Sequence, residues 1–201
     1  MVIDSSFKRG VVAMLPLVPP TVLWGGAFGA AASAKGLSTA GSMAMSGIAW
    51  SGTAQMAVLT LLREPLPVIF ATSLLLSLRF VPMSLSLGTL LEEPSRWRRA
   101  LASCMLVDAS FALLARVGRA RPAYLLGSGA TQWAAWGVGT ALGTLATPVL
   151  PAGSLATASD ALIAAIFSVL AIEACTDRRD ALVAVVAGGA AVGAAWALAL
   201  R

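Results

Sequence analysis

Two ionisable residues stand where apolar sequence leaves no ready place for them. Arg79 lies inside LLLSLRFVPMSLSL (74–87), and Asp108 lies inside RALASCMLVDASFALLARV (99–117). A cation at the centre of a membrane-crossing helix costs from about 2.5 kcal/mol upward, so it needs an anion or water at its own depth. Ionisable residues inside the membrane mark substrate or proton paths by default, and a buried pair can equally serve only to fix register. A third polar group, Ser51-Gly52-Thr53 with Gln55, sits in the middle of the apolar run 39–62. It reads either as interhelical hydrogen bonding or as a binding site for a small polar solute.

Spacing links the first two. Arg79 is twelve residues before Leu91, and Asp108 eight residues after Ala100. At 1.5 Å per residue these are depths of ~18 Å and ~12 Å. If the two runs are neighbours joined near 92–99, the depths agree within about one helical turn. The spacing therefore predicts an Arg79–Asp108 pair beside the proline break at Pro82 and the hydroxyls of Ser77, Ser84 and Ser86.

Other chemistries lack their residues. The sequence holds no histidine and no asparagine, which removes Ser-His and Cys-His catalysis, HExxH metal sites and histidine-ligated haem. Asp108 has no second deep aspartate to work with. Cys104 and Cys175 form no CxxC pattern and read as small hydrophobes. No metal, no cofactor and no enzymatic activity are expected.

These residues must be positioned by membrane helices. Of 201 residues, 58 % are hydrophobic and 11 % charged, where soluble domains carry about 25 % charged residues. Mean hydropathy is +0.85. The expected fold is all-α: one polytopic transmembrane domain over 1–201, after a short polar N-terminus (1–10) without a cleaved signal peptide. Seven apolar runs are long enough to cross a bilayer: 11–34, 39–62, 65–91, 100–117, 123–150, 155–176 and 180–200. The net charge of +5 sits in the short connections, where it sets topology and meets anionic lipid, so nucleic acid is not an expected partner. With the N-terminus inside, Lys8, Arg9, Arg63, Arg116, Arg119, Arg121, Arg178 and Arg179 fall on the inner side. Lys35, Arg96, Arg98, Arg99 and Arg201 fall on the outer side. The excess favours a cytoplasmic N-terminus, with the SRWRR cluster (95–99) against it unless a segment upstream is re-entrant.

Several runs are interrupted. Pro16, Pro19 and Pro20 precede Gly25, Gly26 and Gly29 in the first, and Gly127, Gly129, Gly137, Gly139 and Gly143 punctuate the fifth. Such breaks either expose backbone to a solute or permit close packing in small-xxx-small pairs such as Gly25/Gly29 and Gly139/Gly143. LWGGAFGAA (23–31) echoes AWGVGTALG (135–143), and SGTAQMAVLTLL (51–62) echoes SDALIAAIFSVL (159–170). Asp160 reads as a helix cap, Glu173 and Gln132 as interface or packing residues, and Trp24, Trp50, Trp133 and Trp136 as belt anchors.

Across residues 11 to 175 the pattern resembles AzlC-type branched-chain amino acid permeases. LVPPTVLWGGAFGAAASAKGLS, SGTAQMA, LSLRFVPMSLSL, LVDASFALL, WAAWGVGTALG and SDALIAAIFSVL follow that family's motifs in order, with Gln55, Arg79, Asp108 and Phe111 matching. Phe80, Ser77 and Ala109 depart from its polar residues. The resemblance implies a secondary transporter of the bacterial inner membrane. It exports valine, leucine and isoleucine, with methionine as a further candidate, coupled to an ion or proton gradient. It also implies a small AzlD-type membrane subunit as partner. On that reading Trp24, Gly25, Gly26, Ser51, Gly52, Thr53, Gln55 and Arg79 bind substrate, and Arg79 and Asp108 couple or gate. The alternatives are a non-transporting membrane subunit or a permease for another small solute, with Arg79–Asp108 as a structural pair.

Overall fold

A computed structural model describes residues 5–49, 51–93 and 95–147, together with Leu182 and Val186. The runs 155–176 and 180–200 are outside the described residues apart from those two, which takes Asp160, Glu173, Cys175 and the segment 159–170 with them; Trp50 is also outside. The chain forms two compact units, Met1–Ala156 and Thr157–Arg201. In the second, only the helical, exposed Leu182 and Val186 are described; everything else belongs to the first.

The described residues fold as an all-helical membrane bundle of nine α-helices. The chain opens with α1 (Ser5–Met14), a tight 3-10 turn at Leu15–Leu17, and α2 (Val18–Ala34). Together they make one kinked helix of 30 residues, Ser5–Ala34. The kink falls where Pro16, Pro19 and Pro20 withdraw three amide donors. α2 stops at Gly36, whose φ of +85° only glycine adopts cheaply. The amides of Gly36 and Leu37 turn back onto the carbonyls of Ser33 and Ala32 at 2.9 and 3.0 Å, a Schellman closure.

The run 39–62 does not form one helix. Ser38 caps α3 (Thr39–Ile48), and Ser51 caps α4 (Gly52–Thr60). Ser46, near the end of α3, meets Thr140, whereas Leu59, near the end of α4, clusters with Phe28 and Ala32 at the height where α2 ends. α4 thus returns toward the end from which α3 came. α5 (Leu66–Ser77) and α6 (Phe80–Leu90) follow as one apolar stretch of 25 residues, Leu66–Leu90. It tightens at Leu78–Arg79 because Pro82 has no amide for the Leu78 carbonyl, which accepts from Val81 instead at 3.0 Å. This stretch carries the chain back to the N-terminal end. There the Ala120 amide donates to Leu90, and the Glu92 amide donates to Ala120, at 3.0 and 2.9 Å.

The run 100–117 repeats the pattern of 39–62 from the opposite end. α7 (Arg96–Ser103) enters and α8 (Asp108–Val117) leaves, with a turn at 104–107. Buried Ser110 holds that turn: its hydroxyl accepts from the Val107 amide at 2.9 Å and lies 3.1 Å from the Met105 carbonyl. Helices of eight and ten residues reach only ~12–15 Å, half of a ~30 Å apolar core. The side assignment of the basic residues changes accordingly. Arg96, Arg98 and Arg99 lie at the N-terminal end with Lys8, Arg9, Arg116, Arg119 and Arg121, and Arg63 lies at the far end with Lys35. The cause is that each hairpin doubles back instead of crossing.

α9 (Pro122–Ala146) is the central helix and runs unbroken for 25 residues, so its glycines are not breaks. It lies parallel to α1 and α2 along a glycine seam. A Cβ on Gly10 would sit 2.1 Å from the Tyr124 carbonyl oxygen, on Gly127 2.2 Å from that of Phe7, on Gly29 2.2 Å from that of Thr140, and on Gly143 2.0 Å from that of Gly26. The two echoing segments, 23–31 and 135–143, are therefore in backbone contact. One core cluster gathers Leu87, Leu91, Ala102, Leu106, Leu114, Tyr124 and Leu125 at the N-terminal end.

The seam gives a test. Gly143→Val should cut the yield of folded, monodisperse protein in size-exclusion chromatography by roughly ten-fold or more, as expected of overpacking at a backbone contact. Gly137 has no atom within 4 Å of its added Cβ, and Gly137→Ala should match or exceed the parent, since alanine favours helix by about 1 kcal/mol.

Candidate functional site

The breaks between α3 and α4 and between α7 and α8 meet at Arg79. The residue sits in the tight turn between α5 and α6, flanked by the tips of the two hairpins. Its Nη2 donates to the Ser51 hydroxyl at 3.2 Å and pairs with Asp108 Oδ2 at 3.1 Å. Ser51 is the N-cap of α4, and Asp108 is the first residue of α8. The N-termini of two half-helices therefore meet the same guanidinium, and each brings the positive end of its peptide dipoles. The site gathers positive potential, with the Asp108 carboxylate as its anion.

The site is partly open. The Arg79 side chain is 32 % exposed and Asp108 56 %. Arg79 Nε is buried without an acceptor among the described residues. An arginine presents donors on more than one edge and takes carboxylates two bonds at a time. Here the Nε donor remains unpaired among the described residues. Phe80 lies under the guanidinium, 5.1 Å from ring centroid to Cζ, at a distance where cation–π attraction operates.

Behind Ser51 stands a dry polar network. Gln55, 1 % exposed, donates from Nε2 to the Ala49 carbonyl at 2.6 Å, which satisfies the backbone freed by the break between α3 and α4. Its Oε1 accepts from the Trp136 indole at 3.2 Å and lies 3.5 Å from the Ser46 hydroxyl. Trp136 Nε1 also lies 3.2 Å from Ser46 Oγ, and Ser46 Oγ is 2.8 Å from Thr140 Oγ1. The indole ring meets Trp24 edge-on at 5.9 Å and Phe28 at 6.0 Å. Gly52 makes room for it, since a Cβ there would sit 2.6 Å from the ring. Thr53 touches the Ser51 hydroxyl at 3.2 Å.

The sequence-derived site residues divide accordingly. The structure brings Ser51, Thr53, Arg79 and Asp108 into one cluster. Gln55 and Gly52 stand one layer behind, where they brace the α3–α4 tip. Trp24, Gly25 and Gly26 do not offer open backbone. They lie inside unbroken α2, where amides and carbonyls bond within the helix, and Gly25 faces the Trp136 carbonyl, 2.5 Å from an added Cβ. Non-helical backbone occurs instead at Ala49 and Ser51 and at 104–107. Trp136 was read from sequence as a belt anchor and instead packs behind the site against Ser46, Gln55, Trp24 and Phe28; Ser46 and Thr140 were not singled out. Their signal was the buried hydroxyl pairs one turn apart, Ser42/Ser46 and Thr140/Thr144, beside the Gly139/Gly143 pair. Among the described residues no group of His, Cys, Asp and Glu is disposed to hold a metal.

Interrupted helices whose ends meet at a charged, partly open centre are how membrane transport proteins build solute sites, and the protein is of that class. The chain matches the AzlC protein family over residues 16–150 and belongs to that family. It is thus a membrane protein related to branched-chain amino acid transport. No curated protein and no solved structure matches it.

Gln55 provides a check on the network. Gln55→Leu keeps the volume but strips the Ala49 carbonyl of its side-chain partner and leaves the Trp136 indole with Ser46 alone. Leaving such a buried group unpaired costs about 1–3 kcal/mol. Thermal unfolding of the purified protein should show a clear loss of stability, whereas Thr53→Val should change it little.

Proposed function

We propose that this protein is a secondary transporter exporting branched-chain amino acids across the bacterial inner membrane, and that Arg79 binds the substrate carboxylate. One observation carries the reading: a partly exposed guanidinium held between two half-helix N-termini, with its Nε still unpaired among the described residues. An amino-acid carboxylate is the anion such a site takes. The apolar side chains around it, Phe80 among them, favour an aliphatic substrate, because a polar side chain without partners pays a desolvation cost there.

Asp108 is the exchangeable occupant. When substrate takes Arg79, Asp108 is displaced from its cation, which links solute binding to a change at the pair. The two hairpins enter from opposite ends, α3–α4 from one and α7–α8 from the other, so each is placed to gate its own side. Among the described residues the N-terminal end has eight basic residues against two at the far end (Lys35 and Arg63), so it faces the cytoplasm under the positive-inside rule. The helices Ser5–Ala34, Leu66–Leu90 and Pro122–Ala146 then cross the membrane. Long exposed apolar side chains along Leu66–Leu90, such as Leu66, Phe70, Leu75 and Leu85, face lipid or the small AzlD-type subunit. The chain acts as a carrier, not an enzyme.

Efflux from dipeptide-loaded, exporter-deficient cells tests this. Release of Val, Leu and Ile, and not Lys, should accelerate when the chain is expressed with its small partner. Arg79→Ala and Asp108→Ala should each slow release by roughly ten-fold or more, the scale of one charge-assisted bond. If both variants keep full activity at normal expression, the pair is a structural staple and not the transport site.

A further inference from the structure

We infer that the N-terminal end of the bundle carries a binding site for a phosphate-bearing anion, separate from the Arg79 centre and independent of what is transported. A cavity of about 200 Å³ opens there. At ~30 Å³ per water it has room for six or seven waters, enough for a phosphodiester and its first hydration.

Its charged walls come from three parts of the chain remote in sequence: Arg9 on α1, Glu92 after α6, and Arg119 and Arg121 before α9. Three arginines and one glutamate line the cavity. Arg9 and Arg119 make no ion pair among the described residues. The walls are fixed in place. The backbone ladder between 90–92 and Ala120 holds two of them together. Buried Tyr124 forms the floor, and its carbonyl lies against Gly10, 2.1 Å from an added Cβ. Like charges assembled on a rigid frame repel one another, and an anion bridging them relieves that repulsion. Arginine is suited to this task, because its planar fork meets two phosphate oxygens at once.

The setting indicates where the phosphate comes from. α1 and α9 both begin at this end, so the cavity lies where apolar helix gives way to polar connection. Trp97, 73 % exposed on α7 at the same end, is the amphipathic type that sits at head-group depth. An acidic phospholipid such as phosphatidylglycerol presents its phosphate there. Free phosphate offers the same chemistry from the aqueous side.

The test uses the full chain in mild detergent, with phosphatidylglycerol, phosphatidylcholine or inorganic phosphate added. Thermal unfolding and the number of lipids retained in native mass spectrometry are read. Phosphatidylglycerol should raise the Tm and phosphatidylcholine should not. Arg9→Gln/Arg119→Gln should remove the shift and lower retained phosphatidylglycerol at least three-fold. Arg96→Gln/Arg99→Gln, with the same charge change on the same face, should do neither. If the double variant does not fold, Arg119→Gln alone, in an exposed loop, should still lower retention. A shift from phosphatidylglycerol alone assigns the site to lipid, and an equal shift from inorganic phosphate assigns it to a soluble phosphate group. No shift from either anion, or equal losses in the cavity and control variants, overturns the site.

Discussion

A permanent cation in the middle of an apolar helix organises the centre of this molecule. Arg79 is 13 residues from Leu66 and 11 from Leu90 in the stretch Leu66–Leu90, too deep to reach water along its own helix, so acceptors must come to it. Full-length helices could supply side chains at that depth but not helix ends. The two broken runs supply both, since each hairpin turns at half depth and places a helix N-terminus, with Ser51 or Asp108, against the guanidinium. The breaks between α3 and α4 and at 104–107 free polar backbone, such as the Ala49 carbonyl, that must be satisfied within the protein. Gln55 performs that task at one tip and Ser110 at the other.

The hairpins stay in place because the long helices leave little room for alternatives. Gly10, Gly25, Gly29, Gly127, Gly139 and Gly143 bring α1 and α2 against α9 at backbone distance. That closeness sets Trp136 over Gly52 and within reach of Ser46 and Gln55. A shift along the seam would thus be felt at the α3–α4 tip and, through Ser51, at Arg79. The arrangement has an internal inversion: a long helix followed by a hairpin runs one way over 5–60 and the opposite way over 66–117. In both halves the second half-helix of the hairpin presents its N-terminus to the centre. Inverted pairs of this kind recur in transport proteins, where the site lies at the interface of the halves.

The amino-acid sequence by itself determined that this is an all-helical membrane protein, because apolar runs of ~20 residues admit no other solvent and no other backbone. It indicated the Arg79–Asp108 pair as well, since a cation and an anion at matching depth in apolar runs have few other partners. The ordered motifs were also enough to indicate the AzlC family. The tertiary structure decided what hydrophobicity cannot encode. A crossing helix and a hairpin that doubles back have the same apolar composition. Only the packing of Leu59 near Phe28, and of Leu91 beside Ala120, shows that 39–62 and 100–117 return to the end they left. Glycines that break a helix and glycines that let two helices touch are likewise indistinguishable in one dimension. The roles of Gly25, Gly26 and Gly52, and the place of Trp136 behind the site, followed from which backbone lay opposite them.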